Sequence, residues 1–300
     1  MSIKSVFITG VTGYIGGSIA QVLLQKDYKV YGLVRSEKAI SQLKDQGIEP
    51  VLGAIEAVKV IQEYASKADA VINAANSDNP YIVETVLNTL EGTGKTFIHT
   101  SGSSIVGDKA NGEKGEFIFT EDVPVEPLLE KGGRVLINER ILAAAKRNIR
   151  SIVLVPTMIY GQGLGLKKES IQVPMLMDYA RQKGAGVYIG RGENIWSNVH
   201  IADLAELYRL ALEKAVPGSY FYVENGENSL GEIAKEISET LGFQGKTLSI
   251  DMDEAIQQWG AEAAHFALAS NSRVDATKAK TVLGWQPKQH TLLEDIASSK

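Results

Sequence analysis

The sequence contains no cysteine among its 300 residues. This absence excludes disulfide bonds, thiolate metal ligands and a cysteine nucleophile, and it agrees with a reducing compartment. Long hydrophobic runs are also missing. No apolar stretch approaches the roughly 18 residues that span a bilayer, and the opening segment MSIKSVFITG reaches a glycine too early for the apolar region of a signal peptide. We therefore expect a cytoplasmic protein without a membrane partner or a metal site.

Clustered positive charge is a further absence. The 31 lysines and arginines are dispersed among 36 acidic residues, which gives a formal net charge of -5. Proteins that bind a nucleic-acid backbone concentrate positive charge on one surface, so a nucleic-acid partner is not expected. Hydrophobic residues make up 44% of the chain, which is enough to bury a substantial core.

Short segments rich in β-branched residues alternate with helical patterns in the first half of the chain. Six of them are typical of buried strands: residues 5–9, 29–34, 49–53, 69–75, 96–101 and 151–156. This alternation predicts an α/β fold, a Rossmann-like doubly wound parallel sheet with helices on both faces. Such sheets bind ligands at the carboxyl ends of their strands.

The pattern changes after Gly161. The segment GQGLGLKKES is rich in glycine, and helical patterns dominate beyond it, with short strands near VYIG and YFYV. We predict a nucleotide-binding domain over residues 1–160 and a smaller, mostly helical substrate lobe over residues 161–300. Segments near 190–225 are candidates to return to the first domain. A pocket for a small-molecule substrate is expected between the two.

The first predicted strand runs into TGVTGYIGG, and a helix is expected to begin near Gly17. Glycine permits a tight turn, and it lets backbone N–H groups at a helix start approach a pyrophosphate, which the helix dipole favours. The spacing is GxxGxxG instead of the GxGxxG dinucleotide fingerprint, but its place after a first strand supports the same role. The alternative is an ordinary strand-to-helix turn. The residues expected to contact a cofactor here are Gly10, Thr12, Gly13, Tyr14, Ile15 and Gly16.

The second predicted strand ends in LVRSEKA. Arg35 therefore stands where an NAD-selective site carries an acidic residue for the ribose hydroxyls. A guanidinium can form two charge-assisted hydrogen bonds with a 2'-phosphate, whereas a carboxylate would repel it. The sequence thus predicts NADP(H) as the cofactor, with Ser36 and Lys38 adding to the phosphate pocket. The alternative is a solvated arginine at the end of a strand.

Six ordered segments together resemble the extended short-chain dehydrogenase/reductase superfamily, in the group labelled NAD-dependent epimerase/dehydratase. They are ITGVTGYIGG, VINAA, HTSGSSIVGD, PTMIYGQG, WSNVHIADLAELYRLALE and SRVDATKAKTVLGWQPK, which extend over nearly the whole chain. The resemblance implies that Ala74 and Ala75 border the cofactor. It also implies that Thr100 lies beneath the nicotinamide side and that residues from Pro156 to Ile159 flank the nicotinamide.

The resemblance breaks at the catalytic positions. Relatives that perform redox chemistry carry a YxxxK pair on the helix before the sixth strand, where the ammonium lowers the pKa of a phenol that exchanges a proton with the substrate. When Glu139 is aligned with the glutamate that usually follows, Lys131 stands at the tyrosine position and Val135 at the lysine position. A shift of three places Arg134 and Asn138 there instead, still without a phenol.

The usual catalytic serine is also replaced, because counting back from Gly107 places Gly102 at its position. A nearby serine hydroxyl could still reach a substrate oxygen, although a loop of small residues would look the same. Tyr160 is the nearest phenol by family position, as a substitute acid or as a pocket wall. Another alternative is that residues 132–147 form a packing helix. The catalytic candidates are Ser103, Arg134, Asn138 and Tyr160.

Two functions remain open from the sequence. The first is an NADPH-dependent oxidoreductase that acts on a small carbonyl or related substrate with an atypical proton donor, because hydride transfer is the chemistry of the cofactor itself. The second is a non-catalytic NADP(H)-binding sensor or interaction protein. Arg35 and the missing YxxxK pair argue against a nucleotide-sugar epimerase or dehydratase. Both a monomer and a homodimer are compatible with the sequence.

Overall fold

The computed structural model describes residues 3–299, so Met1, Ser2 and Lys300, at the outer ends of the two predicted domains, lie outside the described residues. The strands are β1 (Ser5–Thr9), β2 (Lys29–Val34), β3 (Glu49–Leu52), β4 (Ala70–Asn73), β5 (Thr96–Thr100), β6 (Arg150–Pro156), β7 (Met158–Tyr160), β8 (Gly186–Ile189), β9 (Ile195–His200), β10 (Ser219–Val223), β11 (Glu227–Ser229) and β12 (Thr247–Ile250).

Helices connect and cover these strands. They are α1 (Tyr14–Leu24), α2 (Glu37–Asp45), α3 (Val58–Lys67), α4 (Pro80–Leu90), α5 (Leu129–Ala143), α6 (Gln172–Lys183), α7 (Ile201–Lys214), α8 (Leu230–Thr240), α9 (Met252–Trp259), α10 (Ala261–Ala263), α11 (Thr277–Leu283) and α12 (Leu292–Ser298). Two 3-10 turns (Ser103–Val106 and Ala144–Arg147) and a π-helical turn (Ala264–Leu268) complete the helical segments. None of the helices among residues 3–299 has the length and apolar character needed to cross a membrane.

Seven parallel strands form the central sheet in the order β10-β6-β5-β4-β1-β2-β3. Alternate residues of each inner strand point to opposite faces, so Ile8 and Ile98 pack with α1 and α7 while Phe7 and Phe97 pack with α3 and α4. The order reverses direction between β1 and β4, which opens a crevice at the carboxyl edge of the sheet. The predicted fold class is confirmed.

The predicted strand boundaries agree with the sheet to within one residue except at β4, which was expected over residues 69–75 and ends at Asn73. Ala74 and Ala75 lie in the loop beyond it. The predicted start of α1 near Gly17 is wrong, because the helix begins at Tyr14. Gly10 adopts a left-handed φ of 75° and completes the turn early, so the later glycines lie inside the first turns of the helix.

The second half of the chain adds two small sheets, β11-β9-β7 and β12-β8, surrounded by α6, α8, α9 and α12. β10 lies in the central sheet beside β6. The segment between α11 and α12 is hydrogen-bonded to the first turn of α7. The carboxylate of Asp203 accepts hydrogen bonds from the backbone N–H groups of Lys288 and Gln289 at 2.9 and 3.0 Å. The indole of Trp285 donates to the Asp203 carbonyl at 2.9 Å.

Arg150 joins the start of β6 to the end of α7. Its guanidinium donates to the carbonyl oxygens of Ala211, Leu212 and Ala215 at 2.9, 2.8 and 2.6 Å. The last carbonyls of a helix have no partner within the helix, and positive charge is favourable there. This one side chain therefore satisfies the end of a helix that packs along the central sheet.

We expect Arg150→Met to lower the free energy of unfolding by about 2 to 4 kcal/mol, because it leaves buried carbonyl oxygens without their charged donor. Urea denaturation measures this loss. The control is Arg140→Met, which removes a surface ion pair with Glu84 and should cost less than about 1 kcal/mol. Equal losses in the two variants would contradict the assigned role of Arg150.

Candidate functional site

The turn between β1 and α1 packs backbone directly against backbone. A Cβ on Gly10 would lie 2.5 Å from the carbonyl oxygen of Ala74, and one on Gly16 would lie 2.4 Å from the carbonyl oxygen of Gly10. Neither position has room for a side chain. Gly13 donates its N–H to the Gly10 carbonyl at 2.9 Å and closes the turn before α1 begins.

A first cavity of about 350 Å³ opens beside this turn, at the carboxyl ends of β1 to β4. Arg35, directly after β2, is exposed at its edge, and its side chain forms no hydrogen bond or ion pair within residues 3–299. Its guanidinium is therefore free to bind an anionic ligand. The lining residues are Gly10, Thr12, Gly13, Leu33, Val34, Arg35, Gly53, Ile55, Glu56, Ala74, Ala75 and Asn76.

A second cavity of about 260 Å³ lies on the other side of Gly13. Gly13 and Ala74 line both cavities, so the two adjoin across the glycine turn. The second cavity is lined by Gly13, Tyr14, Ile15, Ala74, Thr157, Ile159, Lys167, Ser170, Ile171 and Gln172. Together the two cavities form an extended crevice along the carboxyl edge of the sheet. A long ligand could lie in it with one end in each cavity.

The predicted cofactor residues divide between the two cavities. Gly10, Thr12, Gly13, Arg35, Ala74 and Ala75 line the first, and Gly13, Tyr14, Ile15, Ala74 and Ile159 line the second. Ser36 and Lys38 are exposed beside Arg35 but line neither cavity. Gly16 lies within α1, and Pro156 ends β6 outside both linings.

Thr100 faces α7 and lines neither cavity. Its hydroxyl accepts a hydrogen bond from the buried phenol of Tyr208 at 2.7 Å.

The sequence analysis missed the segment after β7, which contributes four residues to the lining of the second cavity: Lys167, Ser170, Ile171 and Gln172. The glycine-rich stretch before Lys167 was a usable signal, because such stretches allow close approach of a loop to another backbone.

Arg134 projects from α5 toward the loops that follow β4 and β5. Its Nε and Nη2 donate to the two carboxylate oxygens of Asp78 at 2.7 and 2.5 Å, and its Nη1 donates to the Ser104 hydroxyl at 3.0 Å. The hydrogen bonds from Arg134 hold the pKa of Asp78 below its usual range. A guanidinium has five N–H groups, so two remain unused after these three bonds.

Gly102 occupies the sequence position of the usual catalytic serine, and it lies directly beside Arg134. A Cβ at Gly102 would be 3.2 Å from Nη1 of Arg134, with no other atom within 4 Å. The guanidinium thus borders the space into which a serine side chain would project. An unused N–H of Arg134 is available on this side of the loop.

Asn138 lies one turn further along α5 and is 3% exposed. Its amide nitrogen donates to the hydroxyl of Ser101 at 2.9 Å, directly after β5. That hydroxyl keeps its own proton for another acceptor, since an alcohol both accepts and donates. The structure therefore brings Arg134 and Asn138 to neighbouring positions at the end of β5.

The hydroxyl groups of the other two catalytic candidates form hydrogen bonds with distant parts of the chain. The Ser103 side chain is buried, and its hydroxyl accepts from the Ser272 hydroxyl at 2.8 Å. Tyr160 is fully buried, its hydroxyl donates to the His290 carbonyl at 2.8 Å, and burial raises the pKa of its phenol. These contacts favour packing roles for both residues.

Lys131 is 4% exposed at the start of α5. Its ammonium forms an ion pair with Glu262 and lies 4.6 Å from the centre of the Phe266 ring. Both partners belong to the helical segment Ala261–Leu268. This cation–π contact and ion pair fasten α5 against the second half of the chain.

A Tyr-x-x-x-Lys spacing does occur in α6, at Tyr179 and Lys183. The phenol donates to Glu254 at 2.6 Å, and the lysine pairs with the same carboxylate at 2.7 Å. The Tyr179 ring packs edge-on against Trp259 at 4.9 Å. The pair lies in the cluster of α6, α8 and α9, remote from β5 in the fold, so it does not replace the usual dyad.

His200, His290 and Asp295 place candidate metal-ligating atoms within 4.8 Å of one another. However, Nδ1 of His200 accepts the backbone N–H of Ala202 at 3.1 Å, so the neutral ring carries its proton on Nε2 and has no lone pair there for a metal. Nε2 of His290 donates to the carboxylate of Asp295 at 2.8 Å. These contacts favour a structural role for the cluster.

The parallel sheet, with its glycine turn and crevice at the topological switch point, defines a Rossmann-like α/β protein. The chain belongs to the NAD dependent epimerase/dehydratase family, whose family model matches residues 6–222. It is 31% identical over 310 residues to an uncharacterized protein of Schizosaccharomyces pombe, with 98% of each chain covered.

Two further similarities have named activities. The chain is 24% identical over 268 residues to the 4-hydroxy-2-methyl-3-oxo-4-farnesyl-3,4-dihydroquinoline-1-oxide ketoreductase of Stigmatella aurantiaca, covering 83% of this chain and 77% of that one. The structure of dTDP-glucose 4,6-dehydratase from Bacillus anthracis in complex with NAD superposes with a TM-score of 0.78 at 17% identity, covering 98% of this chain and 94% of that one. The latter similarity establishes the fold alone.

His99 lies near the carboxyl end of β5 and is fully buried, within electrostatic reach of Asp78 and Arg134. Its Nδ1 is 3.2 Å from the side-chain nitrogen of Asn73, and its Nε2 has no hydrogen-bond partner within residues 3–299. Burial lowers the pKa of His99 to about 4. The ring is therefore neutral at physiological pH.

We expect His99 to make the protein less stable as the pH falls from about 6.5 to about 4. The unfolded chain binds a proton near the ordinary histidine pKa of 6.5, whereas the folded chain binds it only near 4. The loss between pH 7 and pH 4 is about 3 kcal/mol. Urea denaturation of wild type and His99→Gln at both pH values isolates this contribution, and the same pH dependence in both proteins would contradict it.

Proposed function

We propose that the protein is an NADPH-dependent oxidoreductase acting on a small carbonyl or related substrate. The observation that carries the proposal is the free guanidinium of Arg35 at the edge of the first cavity, directly after β2. A guanidinium there suits the 2'-phosphate that distinguishes NADPH from NADH. Ser36 and Lys38 lie beside it and are exposed for the same anion.

The arrangement of the two adjoining cavities suits a dinucleotide, with one nucleotide in each cavity. Glycine backbone at the turn leaves room for a diphosphate near Gly13, and the start of α1 favours negative charge. The first cavity would hold the adenosine end and the second the nicotinamide end, against Thr157 and Ile159. NAD in the structurally similar dehydratase and the ketoreductase activity of a relative support a redox role.

When bound, NADPH supplies the hydride. The side chains at the end of β5 would then orient the substrate oxygen and stabilise the negative charge that develops on it. Arg134 has an unused N–H beside Gly102, and the Ser101 hydroxyl has a proton to donate while Asn138 holds its oxygen. Arginine does not give up its proton, so Arg134 acts as an electrostatic stabiliser and Ser101 relays a proton from solvent.

A non-catalytic NADP(H)-binding sensor is the second candidate, and one contact favours it. Lys131, which one of the two alignments of α5 would put at the usual tyrosine position, is buried, forms an ion pair with Glu262 and contacts Phe266. In that alignment these contacts would hold the second half of the chain over the place of a catalytic phenol. Turnover distinguishes the two functions.

We expect Arg35→Asp to weaken NADPH binding by about 30- to 100-fold while NADH binding stays within a few-fold, because the exchanged carboxylate repels only the 2'-phosphate. Titration calorimetry with both coenzymes measures the change. Lys235→Asp, an exposed substitution on α8 with a comparable charge change, is the control and should leave both affinities unaltered. Unchanged NADPH affinity in Arg35→Asp would refute the assignment.

We expect the wild type to oxidise NADPH with at least one member of a panel of aldehydes and ketones. Arg134→Met should then lower kcat/KM by about 100-fold, as loss of an oxyanion donor does elsewhere. Arg140→Met, on the outer face of the same helix, should retain full activity. Tight NADPH binding without turnover of any substrate would instead support the sensor.

A further inference from the structure

The glycine-rich segment after β7, residues 161–172, lies across the glycine turn as a strap. At its centre Gly165 packs on Gly17 of α1 so closely that a Cβ on Gly165 would be 2.6 Å from the Gly17 Cα. The backbone N–H of Leu164 donates to the Ser18 hydroxyl at 3.0 Å. Two glycine-rich segments far apart in sequence are thus held in direct backbone contact.

Two more contacts fix the shape of this strap. The phenol of Tyr14 donates to the Gly161 carbonyl at 2.7 Å. Gly163 packs on the same ring and donates its N–H to the Lys168 carbonyl at 2.7 Å. The strap therefore closes on itself between Gly163 and Lys168, which fixes the position of Lys167 relative to the turn.

Lys167 lines the second cavity together with Gly13. It is the one charged residue in that lining, and its ammonium forms no hydrogen bond or ion pair with the residues that the structure describes. The neighbouring Lys168 is also exposed, donates to the Leu164 carbonyl at 3.5 Å and lines neither cavity. An unpaired cation at an otherwise neutral cavity indicates an anionic ligand group.

We propose that Lys167 is a positioning residue that binds the diphosphate of the nicotinamide dinucleotide from the side opposite the glycine turn. This inference rests on the proposed function. A ligand that occupies both cavities must cross Gly13, which lines both, and the group that links the two halves of a dinucleotide is the diphosphate. An ammonium on a flexible stem suits a phosphate as a compact point charge.

This role differs from that of Arg35 in what it recognises. The diphosphate is common to NADH and NADPH, whereas the 2'-phosphate belongs to NADPH alone. Lys167 therefore contributes affinity for both coenzymes and no discrimination between them. Adenosine 2'-monophosphate, which has the 2'-phosphate but neither the 5'-phosphate nor the diphosphate bridge, provides a probe of the first cavity by itself.

The test measures binding of NADPH, NADH and adenosine 2'-monophosphate to the full chain and to Lys167→Gln by titration calorimetry. We expect the affinities for NADPH and NADH to fall by the same factor, about 5- to 10-fold, while the affinity for adenosine 2'-monophosphate is unchanged. Lys168→Gln is the matched control and should leave all three affinities unchanged. Lys167→Arg should retain most of the lost affinity, and thermal unfolding midpoints verify that each variant is folded.

The outcomes separate this inference from the proposed function. NADPH affinity that is the same in wild type and Lys167→Gln would overturn the role of Lys167 and leave the cofactor assignment standing. A loss of affinity confined to NADPH and adenosine 2'-monophosphate, or an equal loss in Lys168→Gln, would also overturn it. If the wild type binds neither coenzyme, the proposed function itself fails.

Discussion

At the carboxyl edge of the sheet, glycine backbone packs directly against other backbone with no side chain between. The rest of the structure depends on this close packing. Gly10 approaches the loop after β4, Gly16 approaches Gly10, and Gly17 approaches Gly165 of the strap, each at a distance that excludes a Cβ. Because these positions have no side chains, β1, β4, α1 and the strap converge around one turn. Their convergence places the two cavities next to each other, with Gly13 and Ala74 in the lining of both.

Local patterns accounted for most of the fold. Strands such as β1 and β2 were predicted to the residue because both faces of the sheet are covered, which requires a continuous apolar run with sharp ends. The exception at β4 has a physical reason. Ala74 and Ala75 are small and apolar like strand residues, yet they leave the sheet to pass closely over Gly10, and only the fold reveals that approach.

The candidate site was less accessible to sequence reasoning, because hydrogen-bond partners far apart in the chain decide which polar groups are free. Ser103 and Tyr160 looked like available hydroxyls, but Ser272 and His290, more than a hundred residues away, engage them. Arg35 could be identified as a candidate from the sequence because its position directly after a strand depends only on the neighbouring residues. Asp78, the partner of Arg134, has no sequence signature, so the ion pair emerges only from the meeting of α5 with the β4 loop.

Gly102 and Arg134 are best understood as one arrangement. A side chain at Gly102 would crowd Nη1 of Arg134, so a glycine at this position leaves room for the guanidinium at the end of β5. A phenol in this place has to exchange its proton, and its effect depends on pH; a guanidinium stays charged and can only attract an anion. Asp78 offsets part of that charge, but it is half exposed and screened by water, while the side of Arg134 toward Gly102 keeps N–H groups unused. In the proposed reaction such a site would stabilise a developing oxyanion without a built-in acid, and solvent, reached through small polar groups such as Ser101, would supply the proton.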